Sequence, residues 1–216
     1  HNPGGPDGDF GIKYNGNNGG PAQEALTEKI FARSRELERY FIEDEVVPTI
    51  TDKGEFSYAG MIVEVVDPVA DYADLMEEFF DFAAIKALFT GGFRFCFDAM
   101  HAVTGPYARE IFVSRLGAPS DSIINAVPSE TFGGGHPDPN PVHAKVVYDM
   151  AMKDDGPDLC AASDGDGDRN LIIGKRCYVT PSDSLAIIAA NAHLVPGYRG
   201  GLKGVARSMP TSSAVD

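Results

Sequence analysis

Long apolar runs are missing from this chain. No stretch of about 18 or more uncharged apolar residues occurs, which excludes a bilayer-spanning helix. The opening residues, rich in Gly, Pro and Asn, lack the basic-then-apolar pattern of a secretory leader. Positive charge is scarce: 18 Lys and Arg stand against 32 Asp and Glu, for a net charge of −14. A surface so biased repels nucleic acid and anionic membranes, so neither is expected as a partner. An anionic substrate meets the same repulsion unless a metal ion or a few focused Lys and Arg side chains collect it. Cysteine is scarce as well. Cys96, Cys160 and Cys177 are odd in number and show no Cys-x-x-Cys spacing. They read as buried free thiols in a reducing, cytoplasmic setting.

What is present is an ordinary globular composition of 216 residues, 43% hydrophobic, enough for one large or two small domains with conventional cores. The chain opens without Met on His1-Asn2-Pro3-Gly4-Gly5 and stops on Asp216 directly after a helix start, so both ends read as cut. Residues 1 to 20 are glycine-rich and form a loop whose backbone can approach a ligand. The insert Asp9-Phe10-Gly11-Ile12-Lys13-Tyr14 marks that loop as ordered rather than as a linker. From Pro21 a helix is expected, with Ala25, Ile30, Leu37 and Phe41 near one face and a sheet beneath it. An acidic stretch broken by Pro48 and Gly54 follows, then a strand from Met61 to Val66 that Asp67-Pro68 ends.

A helix over 69–89, closed by Gly91-Gly92, begins a new rhythm. Strands are expected at 93–97, 123–127 and 158–162, separated by helices at 106–116 and 142–152. Such alternation implies βαβ crossovers, and the fold class expected is α/β, with mixed, mainly parallel sheets and flanking helices. Two short strands around 171–180, a helix from Ser182 to His193, a strand at Gly204-Val205-Ala206 and a turn at Ser208-Met209-Pro210 complete the reading.

The chemistry concentrates in Ser163-Asp164-Gly165-Asp166-Gly167-Asp168-Arg169. Carboxylates at alternate positions, separated by glycines that let the backbone curl, can turn three hard oxygen ligands toward one divalent cation. The loop follows an apolar strand, the place where open α/β sheets commonly build sites. A calcium loop of the EF-hand type opens in the same way, but its sixth position should be Gly and is Arg169, and its twelfth should be Glu and is Lys175. Arg169 makes sense if an anionic group, such as a phosphoryl, meets the metal and needs a second positive partner.

The acidic loop with Arg169 and Asn170, the opening His1-Asn2-Pro3-Gly4-Gly5, the run Asp9 to Asn15, His136-Pro137-Asp138-Pro139-Asn140 and Ser208-Met209-Pro210-Thr211-Ser212 together resemble the phosphohexomutases, most closely the phosphoglucomutase branch. The resemblance implies repeated α/β domains around a cleft, with residues 1–68 the end of a first domain, 69–196 a second domain and 197–216 the start of a third. It implies that a serine directly preceding His1 carries the transferable phosphoryl group. By position it makes Asp164, Asp166 and Asp168 the ligands of Mg2+, and Arg169 a phosphate-side partner. It sets Lys13 beside the phosphoserine and His1 against the substrate. His136 and Asp138 are read as shaping a turn, because two prolines stiffen the segment.

The implied reaction is reversible conversion of glucose 1-phosphate to glucose 6-phosphate through a phosphoserine enzyme and glucose 1,6-bisphosphate. The fragment alone is expected to be inactive. The alternatives are a mutase for another hexose phosphate and a non-catalytic relative that uses the scaffold for binding or trafficking; the residue preceding His1 separates catalysis from binding.

Overall fold

The computed structural model describes residues 12–46 and 49–216, and these divide into two compact units, residues 12–67 and Pro68–Asp216. In the first unit the chain closes a small loop: Asn15 bridges Pro21, and the Gly19 N–H donates to the Gly16 carbonyl at 2.9 Å. Helix α1 (Glu24–Ser34) follows, shorter than expected, so Leu37 and Phe41 lie beyond its end. Every residue of α1 is exposed, so the expected packing of its apolar face on a sheet is not seen. A stripe that loses two of its four members with the helix end has little left to bury.

Strands β1 (Gly54–Tyr58) and β2 (Met61–Val65) form an antiparallel hairpin. Sequence reading finds β2 but not β1. The two turn residues, Ala59 and Gly60, both take positive φ, 47° and 77°, the geometry that matches strand twist in two-residue hairpins. Ala is not a residue that advertises such a turn, so the hairpin has no strong signal.

In the second unit the helix expected over 69–89 is two helices, α2 (Ala70–Phe79) and α3 (Phe82–Thr90). Phe80 is extended, and the Asp81 side chain accepts from the Ala84 N–H at 2.9 Å, capping α3 and giving its first turn a partner that a continuous helix would not need. Strand β3 (Phe95–Asp98) leads to a short helix α4 (Thr104–Ala108), which widens into a π-helical segment at Arg109–Arg115. Strand β4 is only Ile123–Ile124, and helix α5 is Lys145–Ala151. Then come β5 (Leu159–Ser163), β6 (Asn170–Gly174), β7 (Cys177–Val179) and helix α6 (Pro181–Asn191). The strand expected at residues 204–206 does not form. The side chains of that segment are exposed, and two apolar residues without a neighbouring strand cannot satisfy a ladder.

The five strands run in the order β4-β3-β5-β6-β7, parallel from β4 through β5 and antiparallel from β5 through β7, so the α/β sheet is mixed. Period-two alternation divides its side chains between two cores. Cys96, Cys160, Ala162, Leu171 and Ile173 pack with Val147 and Ala151 of α5 on one face. Phe95, Ile123 and Ala161 pack with Ala108, Phe112 and Val113 on the other. Helices therefore cover both faces, and the carboxyl ends of the parallel strands β3 and β5 emerge side by side. Cys96 and Cys160 are buried cross-strand neighbours, and their mutual hydrogen bond and burial hold the Cys96 thiol well above its ordinary range. Cys177 departs from the expected burial: it opens the edge strand β7 and is exposed. Among the described residues no helix is long and apolar enough to cross a membrane.

Candidate functional site

The acidic loop connects the antiparallel strands β5 and β6, so both its ends are fixed by the same ladder: Ser163 pairs with Asn170, and the Asp164 N–H donates to the Arg169 carbonyl at 3.3 Å. Asp164 is fully buried. Its Oδ1 accepts the Arg169 backbone N–H at 3.0 Å and its Oδ2 accepts the Arg169 Nε–H at 2.8 Å, so the first carboxylate is both satisfied and oriented. Asp166 and Asp168 are exposed. One carboxylate oxygen from each of Asp164, Asp166 and Asp168 lies within 4.8 Å of the others.

Two features hold the loop against the rest of the sheet. Gly167 has φ 81°, and a Cβ there would stand 2.8 Å from Thr104 Cγ2, so both the backbone angle and the close approach require glycine. Thr104 and Ser163 share a hydrogen bond of 2.7 Å between hydroxyls, tying the start of α4 to the end of β5. The segment before α4 is itself unusual. Met100 and His101 both have positive φ, 51° and 54°, and the buried Asp98 carboxylate accepts from the Met100 N–H at 2.8 Å and from Asn125 Nδ2 at 2.9 Å. Strained non-glycine backbone beyond a strand's carboxyl end, next to the acidic loop, is a feature of this site that sequence reading missed. Only the placement of Asp98 at a predicted strand end hinted at it.

Arg169 is the hub of the charges. Its guanidinium meets Asp164 through Nε, Asp138 through Nη2 at 2.9 Å and, more distantly, Asp168 at 3.8 Å. The Asp164 hydrogen bond, with the charges of Asp164, Asp138 and Asp168, holds the Arg169 guanidinium above its ordinary value against partial burial. Within the loop, three carboxylates against one guanidinium leave two negative charges in excess, the amount a divalent cation neutralises. The donors are all hard carboxylate oxygens, which suit Mg2+, Ca2+ or Mn2+. Beside the loop opens a cavity of about 640 Å³, whose lining includes Asp166 and Gly167 together with Tyr72, Phe80, Tyr107 and Phe112.

The remaining expected residues lie elsewhere in the chain. Lys13 is exposed in the first unit, next to the closed loop at Asn15–Pro21. His1 lies outside the described residues. His136 and Asp138 flank and separate the buried Pro137 and Pro139, and Asp138 also reaches Arg169.

Comparison with known proteins places this geometry. Residues 70–177 match the family model described as phosphoglucomutase/phosphomannomutase, alpha/beta/alpha domain II. Phosphoglucomutase from Rhizobium radiobacter is 60% identical over 216 residues, which are 100% of this chain and 40% of that protein. The chloroplastic phosphoglucomutase of Arabidopsis thaliana is 53% identical over 218 residues, covering 100% of this chain and 35% of that protein. The open form of pp63/parafusin (phosphoglucomutase), an exocytosis-sensitive phosphoprotein from Paramecium, superimposes with a TM-score of 0.89 at 45% identity, over 100% of this chain and 40% of that one. The chain thus spans about two fifths or less of the length of these relatives. With the model match, the whole-chain similarity and the α/β/α layering in agreement, this chain belongs to the phosphoglucomutase/phosphomannomutase family.

Proposed function

We propose that the whole protein is a phosphoglucomutase that interconverts glucose 1-phosphate and glucose 6-phosphate through a phosphoserine enzyme and glucose 1,6-bisphosphate. The observation that carries the reading is the convergence of Asp164, Asp166 and Asp168 beside Arg169, in a chain 60% identical to a phosphoglucomutase. Asp164, Asp166 and Asp168 would hold Mg2+. When bound, Mg2+ neutralises charge on the oxygens of a transferring phosphoryl group and fixes their direction.

The chain's own residues do the rest. Asp164, locked by two donors from Arg169, sets the loop in one conformation before any ligand arrives, so little ordering is left for the moment of reaction. Arg169 stays charged and supplies a second positive partner for phosphoryl oxygens. Lys13 and His1 are the further site residues of this reading: Lys13 steadies charge or relays a proton at the serine preceding His1, and His1 meets the sugar phosphate. Relatives carry both cytoplasmic and chloroplastic names, and a reducing compartment of either kind suits the free thiols.

The deciding assay uses the complete polypeptide that contains this sequence. Glucose 1-phosphate should be converted in the presence of Mg2+, and Asp166→Asn should lower kcat/KM by at least about 100-fold, since an interaction made to the transferring group is lost. A folded parent that turns over no hexose phosphate sinks the catalytic reading and leaves a binding protein on a mutase scaffold. The Paramecium relative, named for sensitivity to exocytosis, is the observation that keeps that second reading in view.

A further inference from the structure

A second cluster of metal-ligating side chains lies on the other side of Arg169. One nitrogen from each of His136 and His143 and one carboxylate oxygen of Asp138 lie within 4.8 Å of one another. We propose that His136, Asp138 and His143 form a second cation site, selective for a transition metal of the Zn2+ class and distinct from the all-carboxylate loop.

The donor chemistry sets the class. Two imidazoles and one carboxylate suit Zn2+ and its neighbours, whereas Mg2+ prefers oxygen alone. One separation is already close to that of a bound set: ligand atoms about 2 Å from a tetrahedral metal stand about 3.3 Å from each other, and His136 Nδ1 and Asp138 Oδ2 are 3.0 Å apart. A cation bound at Nδ1 would take the place of any proton there, and the neutral ring would then carry its N–H on Nε2. The two rings are stacked, with centroids 4.4 Å apart and planes at 17°, so the second imidazole lies beside the first and one ring turns about its side-chain bonds for both in-plane lone pairs to meet a shared cation.

The backbone that carries these side chains is held in place without a ligand. Buried Pro137 and Pro139 anchor the backbone on both sides of Asp138. Asn140 Oδ1 accepts the N–H groups of Val142 and His143 at 2.9 and 3.0 Å, which fixes the turn carrying the second imidazole. Arg169 Nη2 donates to Asp138 Oδ1 at 2.9 Å, leaving Oδ2 as the oxygen directed at His136. Such an outer contact orients a carboxylate ligand. His136 and His143 are exposed, so a cation can enter from solvent and a fourth position is open to water. Because Arg169 also holds Asp164, a cation here is one side chain removed from the acidic loop.

The test uses the complete polypeptide in saturating Mg2+, which keeps the acidic loop occupied, titrated with Zn2+ by calorimetry and with Co2+ by visible absorption. One Zn2+ per chain should bind with a Kd near about 1 μM, and the Co2+ spectrum should be that of a low-coordinate, nitrogen-ligated ion. His136→Gln and His143→Gln should each weaken binding by at least about tenfold, while Asp166→Asn leaves it intact. The proposal is overturned if Zn2+ uptake disappears in Asp166→Asn but persists in His143→Gln, if Co2+ shows only six oxygen ligands, or if no Zn2+ binds. The Co2+ spectrum needs no variant, so a folding defect in either substitution leaves it decisive. Nothing in this outcome depends on whether the protein is a mutase.

Discussion

At the scale of single residues, the three loop aspartates are chemically alike and structurally unequal. Asp164 is buried and accepts two hydrogen bonds from Arg169, whereas Asp166 is exposed and sits among like charges. Removing Asp164 strips partners from a backbone N–H and a guanidinium and opens space under the loop. Asp164→Ala should therefore lower stability by about 2 kcal/mol. Asp166→Asn keeps the size of an exposed side chain and should change stability by no more than about 0.5 kcal/mol. Urea unfolding of the two variants measures the difference. Equal destabilisation would mean that Arg169 does not organise the loop as these contacts imply. The alternation of carboxylates and glycines could be read from the sequence, since ligand type and spacing are local. The inequality could not, because it arises from β5–β6 pairing and from the position of Arg169 across the loop. His143 was passed over for the same reason: its approach to His136 and Asp138 is made by a turn around Asn140, which spacing alone does not reveal.

At the scale of elements, the alternation of strands and helices was readable wherever burial imposes a strong period. Strands β3, β5 and β6 place successive side chains in opposite cores, and each lies within three residues of its expected position. Elements set by a single contact were not readable. The break between α2 and α3 rests on Asp81 as a cap, and β1 rests on a turn whose first residue is Ala59. The packing of α4 shows how narrow such tolerances are. A Cβ on Gly105 would lie 2.0 Å from the Ala126 carbonyl oxygen, which is backbone and cannot swing aside. Gly105→Ala should force α4 away from the chain beyond β4 and disturb the Thr104–Ser163 hydrogen bond that steadies the acidic loop. A loss of about 3 kcal/mol or more in denaturant unfolding is expected. A near-wild-type midpoint would show that α4 can shift without cost, and the loop's dependence on it would fall away.

For the molecule as a whole, the excess of negative charge makes two effects of Mg2+ separable. Any salt screens a chain of net charge −14 and relieves its self-repulsion, with or without a specific site. A cation bound at the acidic loop adds a further term, because it binds the folded state and not the unfolded one. At a tenfold excess over its Kd that term is about 1.4 kcal/mol, or about 3–6 °C in Tm for a domain of this size. Thermal unfolding should therefore be compared in Mg2+ and in NaCl at equal ionic strength. The wild-type sequence should gain the extra few degrees in Mg2+ alone, and Asp166→Asn should respond to the two salts equally. His143→Gln should keep the full Mg2+ response, because its imidazole lies with His136 and Asp138 and not among the loop carboxylates. Equal responses to the two salts in the wild-type sequence would remove the acidic loop as a cation site and, with it, the electrostatic basis for drawing an anionic sugar phosphate to so acidic a surface.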